Sequence, residues 1–217
     1  MLCLVFVGAR FFHMGAILGR CLVLCALGLT GCASLPPASP HDACRIFSGN
    51  LRWYRAVIAA EDRWNLPPEV ALSFVYRESS YRANARPPRQ YLLGVIPWGR
   101  ISDAFGYAQI TDAAWEDYLA DTGRGRLAAR NDFSDAIDFI GWYNDRSYRV
   151  LGIAKNDAYH LYIAYYEGLG GYRTGAWKNK DDVKRYAQEV RERSAMHADQ
   201  LEVCKSQLKT RPWQVFR

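Results

Sequence analysis

The stretch Leu66–Tyr81, LPPEVALSFVYRESSY, decides how this chain is read. Pro67 and Pro68 open it, where a helix tolerates proline because first-turn N–H groups lack an intrahelical partner. Ala71, Phe74, Val75 and Glu78 follow at i, i+3, i+4 and i+7, one face of a helix. The last member of this apolar stripe is a carboxylic acid. Glu78 falls at the C-terminal end, where the macrodipole is negative and disfavours another negative charge. Apolar neighbours and that dipole keep a carboxyl protonated at a higher pH than usual, as a general acid requires. The plainer reading is a half-exposed glutamate paired with Arg77 or Arg82.

Working outward, helical spacing predicts further helices over 43–63, 111–121, 134–151, 157–167 and 181–204, besides 68–79. Thr111 and Ser134 fit as N-caps, Gly123 and Gly152 as C-terminal stops. No alternating strand pattern and no internal repeat follow Asp42, so the fold class is mainly α. The segment Tyr81–Phe105 holds three prolines and two glycines and reads as a loop or a set of short turns. Loops of that length in a compact domain are usually functional.

The 217 residues are 50% hydrophobic and 14% aromatic, which excludes a disordered chain. Seven Trp and fourteen Tyr suit a groove that stacks sugar rings as well as they suit a core. Residues 1–31 read as a signal peptide. Arg20 precedes the apolar run CLVLCALGL, too short to span a bilayer. The run ends in Leu29-Thr30-Gly31-Cys32, which resembles the bacterial lipoprotein signal, in which the cysteine is lipidated and becomes the mature N-terminus. Several acyl chains on Cys32 would anchor the protein stably. The alternative is a plain secretory leader ending near a cysteine, and Met14 is an alternative start. Residues 32–42 then form the lipidated cysteine and a tether. ASLPPASP at 33–40 suits polyproline II and reaches roughly 25 Å.

Export changes how charge and cysteines are read. The leader carries Arg10, Arg20 and no acid, leaving 26 basic residues against 22 acidic ones in the mature chain. An anionic wall polymer or lipid surface is the expected partner of this modest excess, not nucleic acid. Scattered solubilising charge is the alternative. Beyond Cys32 only Cys44 and Cys204 remain. An even pair in an oxidising compartment predicts one disulfide, with two free buried thiols as the alternative. Each lies on a helical apolar stripe: Cys44, Phe47, Leu51, Tyr54 and Ile58 in one, Val183, Ala187, Val190, Ala198, Leu201 and Cys204 in the other.

Three short stretches then stand in order. Glu78-Ser79 ends the second helix, Gly106-Tyr107-Ala108-Gln109-Ile110-Thr111 leads into the third, and Ala164-Tyr165-Tyr166-Glu167-Gly168 ends the fifth. Over about residues 64–175 this resembles the lytic transglycosylases of the soluble-lytic type, relatives of goose-type lysozyme. That family carries Glu-Ser, a Gly-Leu-Met-Gln-Ile-like stretch and an Ala-Tyr-Asn-Ala-Gly-like stretch. The resemblance implies a mainly α, lysozyme-like domain over 43–210 with a substrate groove between the Glu78 helix and the Gly106–Gln109 turn. It implies a peptidoglycan lytic transglycosylase. In such an enzyme one carboxylic acid, here Glu78, protonates the oxygen between N-acetylmuramic acid and N-acetylglucosamine. The substrate's acetamido group stabilises C1. The same carboxylate then takes the proton of the C6 hydroxyl, closing a 1,6-anhydro ring without water. Ser79, Tyr107, Gln109, Tyr165, Tyr166 and Glu167 are the implied substrate-binding residues, with Tyr165 bonding to Glu78 or the acetamido group. Glu167 would raise the pKa of Glu78 if it pointed into the groove; the alternative is a solvated helix-end residue.

The chain departs from the family pattern at Tyr107-Ala108, where Leu-Met is expected, and at Tyr166-Glu167, where Asn-Ala is expected. A hydrolase that inverts needs a second carboxylate to activate water. Between Ser80 and Phe105 only Asp103 is acidic, against arginines at 82, 86, 89 and 100. Two other functions therefore stay open: a non-catalytic wall-binding or envelope-assembly lipoprotein, and a hydrolytic muramidase of the same fold. His41, His160 and His197 have no metal-ligand spacing, so no metal and no cofactor is expected. The expected state is a monomer held by lipid on the periplasmic face of the outer membrane of a Gram-negative bacterium. Ala33 after Cys32 motivates that sorting, since Asp there is the usual inner-membrane signal.

Overall fold

The computed structural model describes residues 35–125 and 127–210. The expected signal peptide, the lipidation site Cys32 and the start of the tether lie outside the described residues. The described part of the tether is not extended throughout, because the Asp42 N–H turns back onto the Ser39 carbonyl at 3.2 Å.

Seven α-helices carry the described fold: α1 (Ala43–Gly49), α2 (Leu51–Trp64), α3 (Pro68–Ser79), α4 (Asp112–Thr122), α5 (Phe133–Leu151), α6 (Ala158–Thr174) and α7 (Asp181–Thr210). A hairpin of β1 (Arg89–Leu92) and β2 (Ile96–Arg100) lies between α3 and α4. The fold is the mainly helical, lysozyme-like arrangement expected from the sequence.

Three expected boundaries need correction, the simplest being the last helix, expected over 181–204, which continues to Thr210. The helix expected over 43–63 breaks at Asn50, whose backbone leaves the helical region at φ −145°. Its N–H closes α1 onto Ile46 and Phe47, and its side chain accepts from the Trp53 N–H to start α2. The break resets the buried face. Trp53, Val57 and Ala60 enter the core, while Tyr54 and Ile58 are only half-buried. The cap of α5 is Asp132, which accepts from Asp135 N–H, and not Ser134. Starting one residue earlier than expected places Phe133, 4% exposed, inside the helix and flat against Trp53 at 4.0 Å between ring centroids. The caps at Thr111, Gly123 and Gly152 stand where expected.

Helix α3 lies against α7 and α5, α2 lies against α5, and α6 packs on both α5 and α7. The predicted disulfide joins Cys44 to Cys204 with Cα atoms 6.0 Å apart, fastening α1 to the far end of α7. Asp138 of α5 ties three elements together from the interior. Its carboxylate accepts from Trp64 Nε1 at 2.8 Å and the Tyr118 hydroxyl at 2.5 Å, and pairs with Arg63 and Arg124 at 3.1 and 3.2 Å. A carboxylate only 6% exposed is tolerable because these donors replace its water. Beside it, a Cβ at Gly141 would stand 2.5 Å from the Trp64 ring, so glycine sets the approach of α2 to α5.

What positions the site is the end of α3. Ser80 and Tyr81 both adopt left-handed backbone, φ 50° and 62°, which costs energy for non-glycine residues. Packing holds them there. The Tyr81 side chain is fully buried against Trp53 at 5.7 Å, and its hydroxyl donates to the Leu72 carbonyl. The helix therefore stops immediately after Glu78-Ser79.

Candidate active site

Ala71, Phe74 and Val75 are fully buried, so three members of the stripe face the core and the fourth, Glu78, follows them inward. The Tyr162 hydroxyl donates to Glu78 Oε1 at 2.7 Å. Burial raises the Glu78 carboxyl from its usual 4.5 to about 7, against the opposing pull of the Tyr162 bond and the Arg77 charge. Glu78 is half-buried, as the plainer reading has it, but its hydrogen bond is with Tyr162 and not with Arg77 or Arg82. Arg77 lies over the Tyr186 ring at 3.8 Å and reaches Glu189 on α7 at 3.7 Å. Arg82 donates to the Ser79 carbonyl.

Tyr162 is the partner of Glu78 that the sequence did not point to. It precedes Tyr165 by three residues and so shares its face of α6. Its phenol is pushed well above its ordinary pKa by burial and by Glu78, so it stays a hydrogen-bond donor. Tyr165 does not bond Glu78 here. Its hydroxyl donates to the Ala108 carbonyl at 2.6 Å, and its ring packs on Phe74 at 5.4 Å and Tyr143 at 5.2 Å. Tyr165 thereby clamps the Gly106–Ile110 turn onto α6.

That turn is built for close approach. Phe105 and Ile110 bond reciprocally across it, and Gly106 N–H donates to the Ala85 carbonyl. At Gly106, φ is 86°, and a Cβ would stand 2.0 Å from the Arg130 carbonyl oxygen, so only glycine fits. Gln109 also has positive φ, 47°. Its Nε2 donates to the carbonyls of Ala85 and Gly106 at 2.9 and 3.0 Å, which leaves Oε1 as the atom available to a ligand.

The structure brings Gln109, Tyr165, Tyr166 and Glu167 together along one cleft of about 490 Å³, with Phe139, Tyr143 and Leu169 as apolar walls. Asp117 and Arg146 pair at its rim, 3.4 Å apart. Tyr166 is 49% exposed, and its ring lies 6.3 Å from Tyr162 and 5.9 Å from Tyr186. It is an open aromatic face beside the acid. Ser79 and Tyr107 stand apart from this lining. Ser79 is 1% exposed and donates to the Val75 carbonyl inside its own helix. Tyr107, also 1% exposed, packs edge-on to Trp53 and Phe133. Each packs inside the core and not toward a ligand.

Glu167 is neither solvated nor aimed at Glu78. Both its oxygens accept from Lys180 Nζ, at 2.9 and 2.7 Å, and Glu78 owes none of its shift to it. The next residue, Gly168, leaves the helix at φ 74°, ψ 160°, so the first run of α6 ends where the sequence places it and a second run continues to Thr174. Asp103, the other acid weighed from sequence, sits at the start of α4, where Oδ2 faces the Asp112 N–H at 3.4 Å.

A half-buried acid with its pKa raised to about 7 beside a tyrosine donor, next to the aromatic cleft though not part of its lining, can deliver a proton and take one back. A family model described as transglycosylase SLT domain matches residues 20–204. No curated protein matches the chain.

Proposed function

This chain belongs to the transglycosylase SLT-domain family, and we propose that within it the protein is a lipid-anchored peptidoglycan lytic transglycosylase with Glu78 as both acid and base. The family match supports the reaction class and the glycan substrate. The observation that carries the residue assignment is the Glu78 carboxyl, raised to about 7 and held by Tyr162. At that pKa an appreciable fraction is protonated at neutral pH, and the conjugate base is strong enough to act next.

The proton on Glu78 goes to the glycosidic oxygen between N-acetylmuramic acid and N-acetylglucosamine, and the C1–O bond breaks. Charge at C1 is met by the substrate's acetamido carbonyl. The Glu78 carboxylate, steadied by the Tyr162 hydroxyl, then removes the C6 hydroxyl proton as that oxygen attacks C1. Glu78 ends protonated, ready for another turn. Partial burial of Glu78 limits the water that would otherwise compete. Tyr166 offers a sugar-stacking face, and Gln109 Oε1 an acceptor for an amide or hydroxyl. Glu167 is held by Lys180 and Asp103 faces the Asp112 N–H, an arrangement that favours anhydro-ring closure over an inverting hydrolysis that needs a second free carboxylate.

Cys32, lipidated and followed by the short tether, would hold the domain on the periplasmic face of the outer membrane. The direct test is incubation of purified wall sacculi with wild-type protein and with Glu78→Gln. Soluble muropeptides should appear with the first and not with the second. Release by both would remove Glu78 from the chemistry, and release by neither would favour the wall-binding reading.

A further inference from the structure

The β1–β2 hairpin serves neither the core nor the cleft, and its composition is unusual for a solvent-facing element. At its turn Leu93 and Val95 flank Gly94 and are 85% and 75% exposed. Turns ordinarily carry polar residues. Leu93 also holds φ at 54°, a region that bulky side chains avoid. Trp98 is 70% exposed, and Tyr91 and Ile101 stand open as well.

The other end of the hairpin is cationic. Arg89 pairs in register with Arg100, and like charges directly opposite on a ladder destabilise it. Arg86 lies over the Phe105 ring at 4.1 Å, and Arg100 donates to the Pro87 carbonyl, so both are held at the base. From Ser79 to Ser102 the chain contains no acidic residue to relieve this charge. An apolar tip above a collar of guanidinium groups is the arrangement of an interfacial anchor. Aliphatic groups enter the acyl boundary, the indole sits among headgroups, and arginines meet phosphates.

We propose that this hairpin docks on an anionic lipid bilayer, with Leu93 and Val95 below the headgroups and Arg89 and Arg100 on lipid phosphate. Charge complementarity selects this occupant. A phosphodiester between the two opposed guanidiniums turns their repulsion into paired, charge-assisted hydrogen bonds. A glycan strand would use the indole face of Trp98 and leave Leu93 and Val95 in water. The docking is independent of any acyl chain on Cys32. It would orient the domain, whatever holds it near the surface.

Tryptophan quenching by brominated acyl chains tests it with the full chain. Vesicles of phosphatidylcholine, with and without phosphatidylglycerol, are compared for wild type and Trp98→Phe. The difference isolates Trp98 from the six other tryptophans. A quenched component should appear on the anionic vesicles and be absent in Trp98→Phe. Leu93→Ser with Val95→Ser should abolish that component while leaving the thermal unfolding midpoint unchanged, since both side chains are outside the core. Arg89→Gln with Arg100→Gln should remove its dependence on phosphatidylglycerol. Equal quenching in wild type and Trp98→Phe would overturn the proposal. So would Trp98 quenching of the same size on neutral vesicles, or a Trp98 response to soluble wall fragments with none to vesicles.

Discussion

The Tyr162 hydroxyl donates to Glu78 Oε1 at 2.7 Å, across a separation of 84 residues in sequence. This bond favours the ionised carboxylate, while burial favours the protonated acid. Burial wins, and the group settles at about 7. In the proposed mechanism this balance would let one residue serve as acid and then as base.

Removing the donor should shift the balance. In Tyr162→Phe the ring still packs on Phe74, but the ionised form loses its partner. A hydrogen bond to a charged group contributes roughly 1.5–3 kcal/mol, so the pKa should rise by about one unit or more. The pH at which kcat/KM begins to fall should move up accordingly, with a lower maximum. A uniform loss with an unmoved pH profile would make Tyr162 merely structural.

The raised pKa also fixes how stability depends on pH. Between about 4.5 and 7 the unfolded chain releases the Glu78 proton and the folded chain keeps it. The folded state binds more protons in that window, so this residue's contribution to stability falls as pH rises through it. Below 4.5 the penalty is absent, and above 7 it is complete. Glu78→Gln, neutral throughout, should melt with the wild type near pH 4.5 and above it at pH 8. A lower melting temperature for the variant at pH 8 would contradict a buried, destabilising charge.

The Cys44–Cys204 bridge closes a loop of 160 residues. In the chain-entropy model its loss should cost about 5 kcal/mol. Denaturant unfolding of Cys44→Ala with Cys204→Ala should show that loss as a lower midpoint. An unchanged midpoint would mean that α7 is held by packing alone.

Asp138→Asn should be the most damaging single polar change in the interior. It leaves Arg63 and Arg124 facing each other without their shared counter-charge. Both guanidiniums are partly exposed and Arg124 keeps Asp135, so water takes up part of the loss, and the cost should be about 1–3 kcal/mol from the weakened bonds to Trp64 and Tyr118. The pH profile of the residual folded enzyme should be unmoved, since Asp138 contributes nothing to the Glu78 shift. Urea unfolding and a pH series on one preparation check both halves.

Much of this fold was legible because local signals agreed. Pro67 and Pro68 mark the start of α3, and Thr111, Gly123 and Gly152 bound their helices where side-chain caps and left-handed turns place them. The Asn50 break was hidden because apolar spacing runs through it, and only tertiary packing of Trp53 shows that the face has rotated. The hairpin was hidden for the opposite reason: with no buried face it has no alternation to read. At the site, Glu78 stood out as an acid in an apolar stripe. Tyr162 did not, because nothing local tells which tyrosine of a helix turn will meet a side chain from α3. Ser79 and Tyr107 carry motif positions, yet motif position does not reveal that a side chain points into the core.

A transglycosylase and a lysozyme differ in what closes on C1 after the glycosidic bond breaks. Mass spectrometry of the fragments released from purified sacculi distinguishes the two directly. The fragments should carry 1,6-anhydro-N-acetylmuramic acid ends, one water lighter than hydrolysis products and without a new reducing end. Reducing N-acetylmuramic acid ends as the main product would contradict the proposed mechanism. They would mean that water reaches C1 with the help of a second carboxylate, Asp103 being the first to test.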